Sequence, residues 1–191
     1  KMNIRPTLKS RPTKAIVLDR ALVIGYAMPI FDEHGQVASV MYGGKILNRD
    51  FALVDKIRDL VFENRFYDGK PVGTVTIFLD DVRVATNVLD ETGQRAIGTM
   101  VSETVYKKVL LEGQSWLDRA FVVTDWYLTA YEPLKNVNDQ TIGMLYVGTL
   151  EAPFRDLRRR ILFIFLAIIL AMTVLGIFLS YALAFIIARP L

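Results

Sequence analysis

The sequence predicts an α+β fold: a five-stranded antiparallel sheet with flanking helices, followed by one membrane-spanning helix. Three observations carry this reading. Short apolar runs rich in Val, Thr, Ile and Phe alternate with turn-forming clusters between Val72 and Leu150. Stretches with helical spacing interrupt those runs. An uncharged apolar run of 28 residues, Ile161–Ala188, lies near the C-terminal end, where a bilayer core needs roughly 20.

In chain order, the first element is a hairpin that recurs. Residues 25–44 run Gly-Tyr-Ala-Met-Pro-Ile into the turn Asp32-Glu33-His34-Gly35 and return through Met41-Tyr42-Gly43-Gly44. Residues 130–148 follow the same grammar, and the pairs Pro29/Pro133, Ile30/Leu134, Tyr42/Tyr146 and Gly44/Gly148 share one offset of 104 residues. A domain-sized period predicts two tandem copies of one module, each ending in this hairpin. Residues 1–48 are then the tail of a membrane-distal module and residues 49–152 a complete membrane-proximal one. A chance likeness between two generic hairpins is the competing reading.

Within residues 49–152, Asn48 or Asp50 caps a helix whose apolar positions are Phe51, Val54, Ile57 and Val61, with Leu53 and Leu60 beside them. Asp68-Gly69-Lys70-Pro71 turns the chain into a strand over Val72–Leu79. Asp80-Asp81 turns it back along Val82–Val88, and Asp90-Glu91-Thr92-Gly93 is another turn. Thr99 caps a short helix with Val101, Val105 and Val109 on one face. Strands over Trp116–Val123, Trp126–Leu134 and Thr141–Leu150 complete the set. Helices on one side of such a sheet give the PAS-like kind of architecture, with a pocket under the concave face. Residues 153–188 read as a juxtamembrane and transmembrane helix, with Pro153 in the first turn, where its missing N–H is not needed.

Charge and composition exclude several functions. Lys1–Lys14 holds five basic and no acidic residues, whereas Ala15–Leu150 holds 13 basic against 18 acidic, a net −5. An acidic body is not a nucleic-acid binder. With no cysteine and one histidine, His34, no thiolate or histidine metal centre is expected. No nucleophile elbow, phosphate loop or metal-ligand cluster is present, so neither catalysis nor a cofactor is expected. Arg155, Arg158, Arg159 and Arg160 precede the apolar run and only Arg189 follows it. Those arginines suit lipid phosphates. Counted alone they place the body in the cytoplasm, but large domains translocate largely regardless of charge.

The segments Thr76–Phe78, Arg83–Val88, Gly93–Thr99, Tyr131–Leu134 and Ile142–Gly148 resemble the membrane-proximal module of the double Cache sensor family, over about residues 15–155. Arg189-Pro190-Leu191, residues 189–191, resembles the opening of a HAMP linker. The resemblance implies a homodimeric, periplasmic ligand-sensing input region in the bacterial inner membrane. The parent would be a chemoreceptor, a sensor histidine kinase of a two-component system or a cyclic-dinucleotide enzyme. The front of the distal module, a first span and the output machinery are expected outside this sequence.

The expected ligand is a small organic acid. Arg83 and Arg95 supply guanidinium groups, with Asn87 and Thr99 as neighbouring polar donors, and Trp116, Tyr127 and Tyr131 as apolar walls. Strand alternation puts Arg83, Ala85 and Asn87 on one face and Val82, Val84, Thr86 and Val88 on the other, so Arg83 and Thr86 are not expected on one ligand. Each residue also has a structural reading: the arginines pair with Asp80, Asp81, Asp90 or Glu91, Asn87 and Thr99 serve turns and caps, and the aromatics fill the core. The matching alternative for the whole chain is a membrane-anchored relay or protein-interaction domain with no small ligand.

Overall fold

The computed structural model describes residues 1–123 and 125–188. Residues 189–191, expected to open a HAMP linker, lie outside the described residues. The chain divides into two units, one ending at Leu150 and one beginning at Glu151.

The first unit opens with two short strands, β1 (Met2–Asn3) and β2 (Val17–Leu18), paired antiparallel. A long hairpin follows, β3 (Val23–Phe31) and β4 (Val37–Ile46). Helix α1 (Phe51–Phe62) starts where Asp50 accepts a hydrogen bond from the Leu53 amide at 3.2 Å. Asn48, the other candidate cap, instead accepts from the Leu22 amide at 2.8 Å and fixes the hairpin root. Val54 is fully buried, but Val61, expected on the inner face, is exposed.

After the small ladder of β5 (Phe66–Tyr67) and β6 (Lys70–Pro71) come the sheet strands β7 (Gly73–Leu79) and β8 (Val82–Thr86). A short helix α2 (Glu103–Val105) continues as a π-helical turn over Tyr106–Leu111. Strands β9 (Trp116–Val122), β10 (Asp125–Lys135) and β11 (Thr141–Leu150) close the unit. All five pair antiparallel in the order β8-β7-β11-β10-β9, as the α+β reading requires. The α2 helix does not begin at Thr99: Ser102 is its N-cap residue, and Thr99 is engaged elsewhere.

One irregularity decides which side chains meet. Ile77 pairs with Ala85 and Phe78 with Arg83, so Val84 is an extra residue in β8, a β-bulge. The bulge breaks the alternation expected for this strand. Val82, Val84 and Ala85 all join the core cluster with Val75, Ile77 and Leu79, against Val54 of α1 and Met2, Leu18, Leu22 and Leu47. Arg83 moves to the other face, the one it shares with Thr86. That is the reverse of the sequence expectation.

The register defines the second face: Thr76 and Phe78 of β7, Met144 and Tyr146 of β11, Tyr127, Thr129 and Tyr131 of β10, Trp116 of β9. The π-helical turn packs on β10 and β11, and its Lys107 and Lys108 share a groove with Trp116. Helices therefore cover both faces of the sheet, not one.

The β3–β4 hairpin is built like β10–β11. Shifted by 104 residues, every pair matches, from Gly25↔Gly44 against Thr129↔Gly148 to Phe31↔Val37 against Lys135↔Thr141. The bulge falls at the same place, and the turns match: Asp32 and Asn136 each accept from the amides two and four residues on. The surroundings differ. β10–β11 is flanked by β9 and β7, whereas β3–β4 forms a two-stranded sheet in which every residue but the partly covered Gly43 is exposed.

The second unit is the helix α3 (Ala152–Ala188), long and apolar enough to cross a membrane.

Candidate functional site

Arg83 is held from three sides. Its backbone amide donates to Thr99 O and its carbonyl accepts from the Gly98 amide, both at 2.9 Å. Its Nη1 donates to Thr99 Oγ1 at 2.6 Å, and that hydroxyl in turn donates to Ala96 O at 2.7 Å. The guanidinium carbon lies 5.2 Å from the centre of the Phe78 ring. The residue is only 4% exposed, and its Nε has no hydrogen-bond partner.

No carboxylate offsets this charge among the described residues. Asp81, two residues away, is taken by Arg11 at 2.6 Å, and Asp80 by Arg20 at 2.8 Å. Asp90 is taken by Arg5. Burial pushes the Arg83 pKa down from its ordinary value, an effect that Tyr131 and Tyr146 oppose. An arginine nevertheless keeps its proton, and an uncompensated buried cation costs several kcal/mol.

Beside Arg83 lies a cavity of about 80 Å³, lined by Thr7, Lys9, Ser102, Tyr131 and the β9 end, Ala120–Val122. That is space for a few waters or one small anion. The Tyr131 ring packs tilted by 50° against Tyr146, with ring centres 4.8 Å apart, and the Tyr146 hydroxyl shares a hydrogen bond with Thr74. Burial pushes the Tyr131 phenol up to about 12, against the pull of Arg83, so it stays a neutral donor.

The structure thus brings Arg83, Thr99 and Tyr131 together. Trp116 pairs directly opposite Tyr131, but it lines the groove beside Glu103 and Lys107, with its buried Nε1 unpartnered. Tyr127 sits further along the same face; burial and Asp125 push its phenol up to about 12. The other two residues serve the opposite side. Asn87 accepts from the Val75 amide at 2.7 Å and donates to Val54 O at 3.3 Å, tying β7 to α1. Arg95 grips both oxygens of Asp55, at 3.0 and 2.7 Å, donates to Thr86 O, and lies over the Phe51 ring. Thr7, Lys9 and Ser102 were not legible as site residues. The one signal was the run of cations free of acids in Lys1–Lys14, which reads as a flank until the segment is seen to return onto the sheet.

No curated protein matches the chain. Among solved structures, the sensor domain of E. coli DcuS is similar over 56% of this chain and 69% of that chain, with 17% identity and a TM-score of 0.40. Residues 45–161, from the end of β4 into α3, match the family model described as single Cache domain 3, and the chain belongs to that family.

Proposed function

We propose that this chain is the extracytoplasmic input region of a membrane-anchored signal receptor, and that its Cache domain binds a small carboxylate at Arg83. The observation that carries this reading is the buried guanidinium with an unpartnered Nε and no carboxylate, beside a cavity of about 80 Å³. A carboxylate there would supply the missing acceptor and offset the buried charge. Thr7, Lys9, Ser102 and Tyr131 line the cavity with hydrogen-bond donors suited to holding an anion. Only Glu151 separates β11 from α3, so few flexible residues stand between the sensor sheet and the apolar helix.

The repeat extends the reading. The matched register, bulge and turn of β3–β4 and β10–β11 support residues 1–48 as the tail of a second, membrane-distal module, the double arrangement. A homodimer, with Arg158–Arg160 at the lipid headgroups, fits the same receptor plan.

Thermal unfolding of the 191-residue chain in detergent micelles, with acetate, propionate, lactate and pyruvate as probes, tests the ligand. At 100 times its Kd a ligand adds about 2.7 kcal/mol of stability. Arg83→Met should abolish that gain and leave the ligand-free protein as stable as the parent or more so, because a buried cation is replaced by an apolar chain. No stabilisation by any probe, or stabilisation that survives Arg83→Met, would refute the proposal.

A further inference from the structure

The Arg83 cavity is roofed by the N-terminal segment. Arg5 pairs with the loop ahead of α2, its amide donating to Gly98 O at 2.8 Å and its carbonyl accepting from Met100 at 3.2 Å. Thr7 Oγ1 donates to Met100 O at 3.2 Å, and Lys9 O accepts from the Glu103 amide at 2.8 Å. Arg11 then anchors the far end through Asp81 and over the Tyr106 ring. Pro6 and Pro12 bracket the crossing and stiffen it. Leu8 and Lys9 between them are exposed.

Two features mark this crossing as fitted to the site. Gly98 has φ +80°, and a Cβ there would stand 2.2 Å from Asn3 O, so the close approach requires glycine. Lys9 makes no ion pair among the described residues; its Nζ lies 5.8 Å from the Trp126 ring centre while the residue lines the Arg83 cavity. The Lys9 ammonium stands near the Trp126 ring, and an anion held at Arg83 would attract it.

We propose that Pro6–Arg11 is a strap over the anion site, with Lys9 as its ligand-facing cation, so that anion binding and strap docking favour each other. This rests on the anion-binding reading of Arg83. By linkage, a docked strap tightens the anion by the same factor by which the anion favours docking. The strap leads through β2, which pairs with β1 ahead of it, to the β3–β4 hairpin.

The test uses the 191-residue chain in detergent with acetate as the probe. Lys9→Ala, at an exposed position, should weaken acetate about tenfold, within the usual range of coupling, while lowering the ligand-free melting temperature by no more than the loss of its contact with Trp126. Arg11→Ala should weaken it similarly. Trypsin supplies a second readout: Arg5 and Arg11 each precede proline and resist cleavage, so Lys9 is the one cleavable site within the strap. Saturating acetate should slow cleavage after Lys9 and not after Lys135, the exposed last residue of β10, and Arg83→Met should remove that protection. If acetate binding depends on Arg83 but is unchanged in both strap variants, and Lys9 cleavage ignores acetate, the strap is only structural and the Arg83 site stands. If acetate shows no Arg83-dependent binding, both readings fall.

Discussion

Arg83 and Arg95 have similar sequence neighbourhoods, each near a turn with acidic and small polar residues. Their environments are opposite. Arg95 is satisfied by the chain itself: a bidentate carboxylate, a carbonyl and an aromatic face. Arg83 shares only the aromatic face, that of Phe78, and otherwise has one threonine hydroxyl and an idle Nε. The sequence could nominate both and not separate them, because the deciding partner, Asp55, lies 40 residues before Arg95, on α1. It follows that Asp55→Ala should lower stability by about 1–2 kcal/mol, a figure for a partly exposed pair of good geometry, while the response to carboxylates stays intact. Chemical denaturation with and without acetate checks both halves. Loss of the acetate response at full stability would place Asp55 and Arg95 in the site after all. The aromatic trio was half legible for the same reason: alternation sets Trp116, Tyr127 and Tyr131 facing inward, but only Tyr131 reaches the cavity beside Arg83.

At the scale of elements, turns and strands were legible because their punctuation is local, in Asp-Gly, Asp-Asp and Pro pairs. β11 coincides with its expected range, Thr141–Leu150. The bulge at Val84 was not legible, since an inserted valine among valines leaves no mark in composition. It nonetheless decides the site, because without it Arg83 would point into the apolar cluster under α1. The start of α1 was legible through Asp50, whose role extends beyond the cap. Its carboxylate also pairs with Lys45 at 2.6 Å, joining the hairpin root to the helix. Lys45, with the Leu53 amide adding to it against a smaller cost of burial, holds the Asp50 pKa below its ordinary 3.8. A carboxyl depressed on folding contributes stability above its unfolded pKa and loses it as pH falls through the folded value. Asp50→Ala should therefore cost about 1 kcal/mol at pH 7, and the gap between variant and parent should close as pH drops below 3.8. Urea titrations along that pH range measure the gap; one that persists at the acid end would assign the loss to packing instead of charge.

For the whole molecule, the instructive comparison is between two hairpins of one design in two settings. β10–β11 gains its protection from β7 on one edge and β9 on the other, with the aromatic face buried beneath the π-helical turn. β3–β4 has the same register, bulge and turn but exposes Ile24, Tyr26, Met28, Val40 and Tyr42 to solvent. A lone two-stranded ribbon is marginal in water, and a flat apolar edge invites pairing. Since backbone geometry is common to both, a difference in local stability must come from the neighbours. Hydrogen exchange on the 191-residue chain should find the β3–β4 amides little protected, while those shared by β10 and β11 open only with global unfolding. Equal protection of the two hairpins, independent of protein concentration, would mean that the ribbon supports itself and would remove the need for partner strands from a membrane-distal module. Protection that rises with concentration would instead identify a second copy of the chain as what covers it.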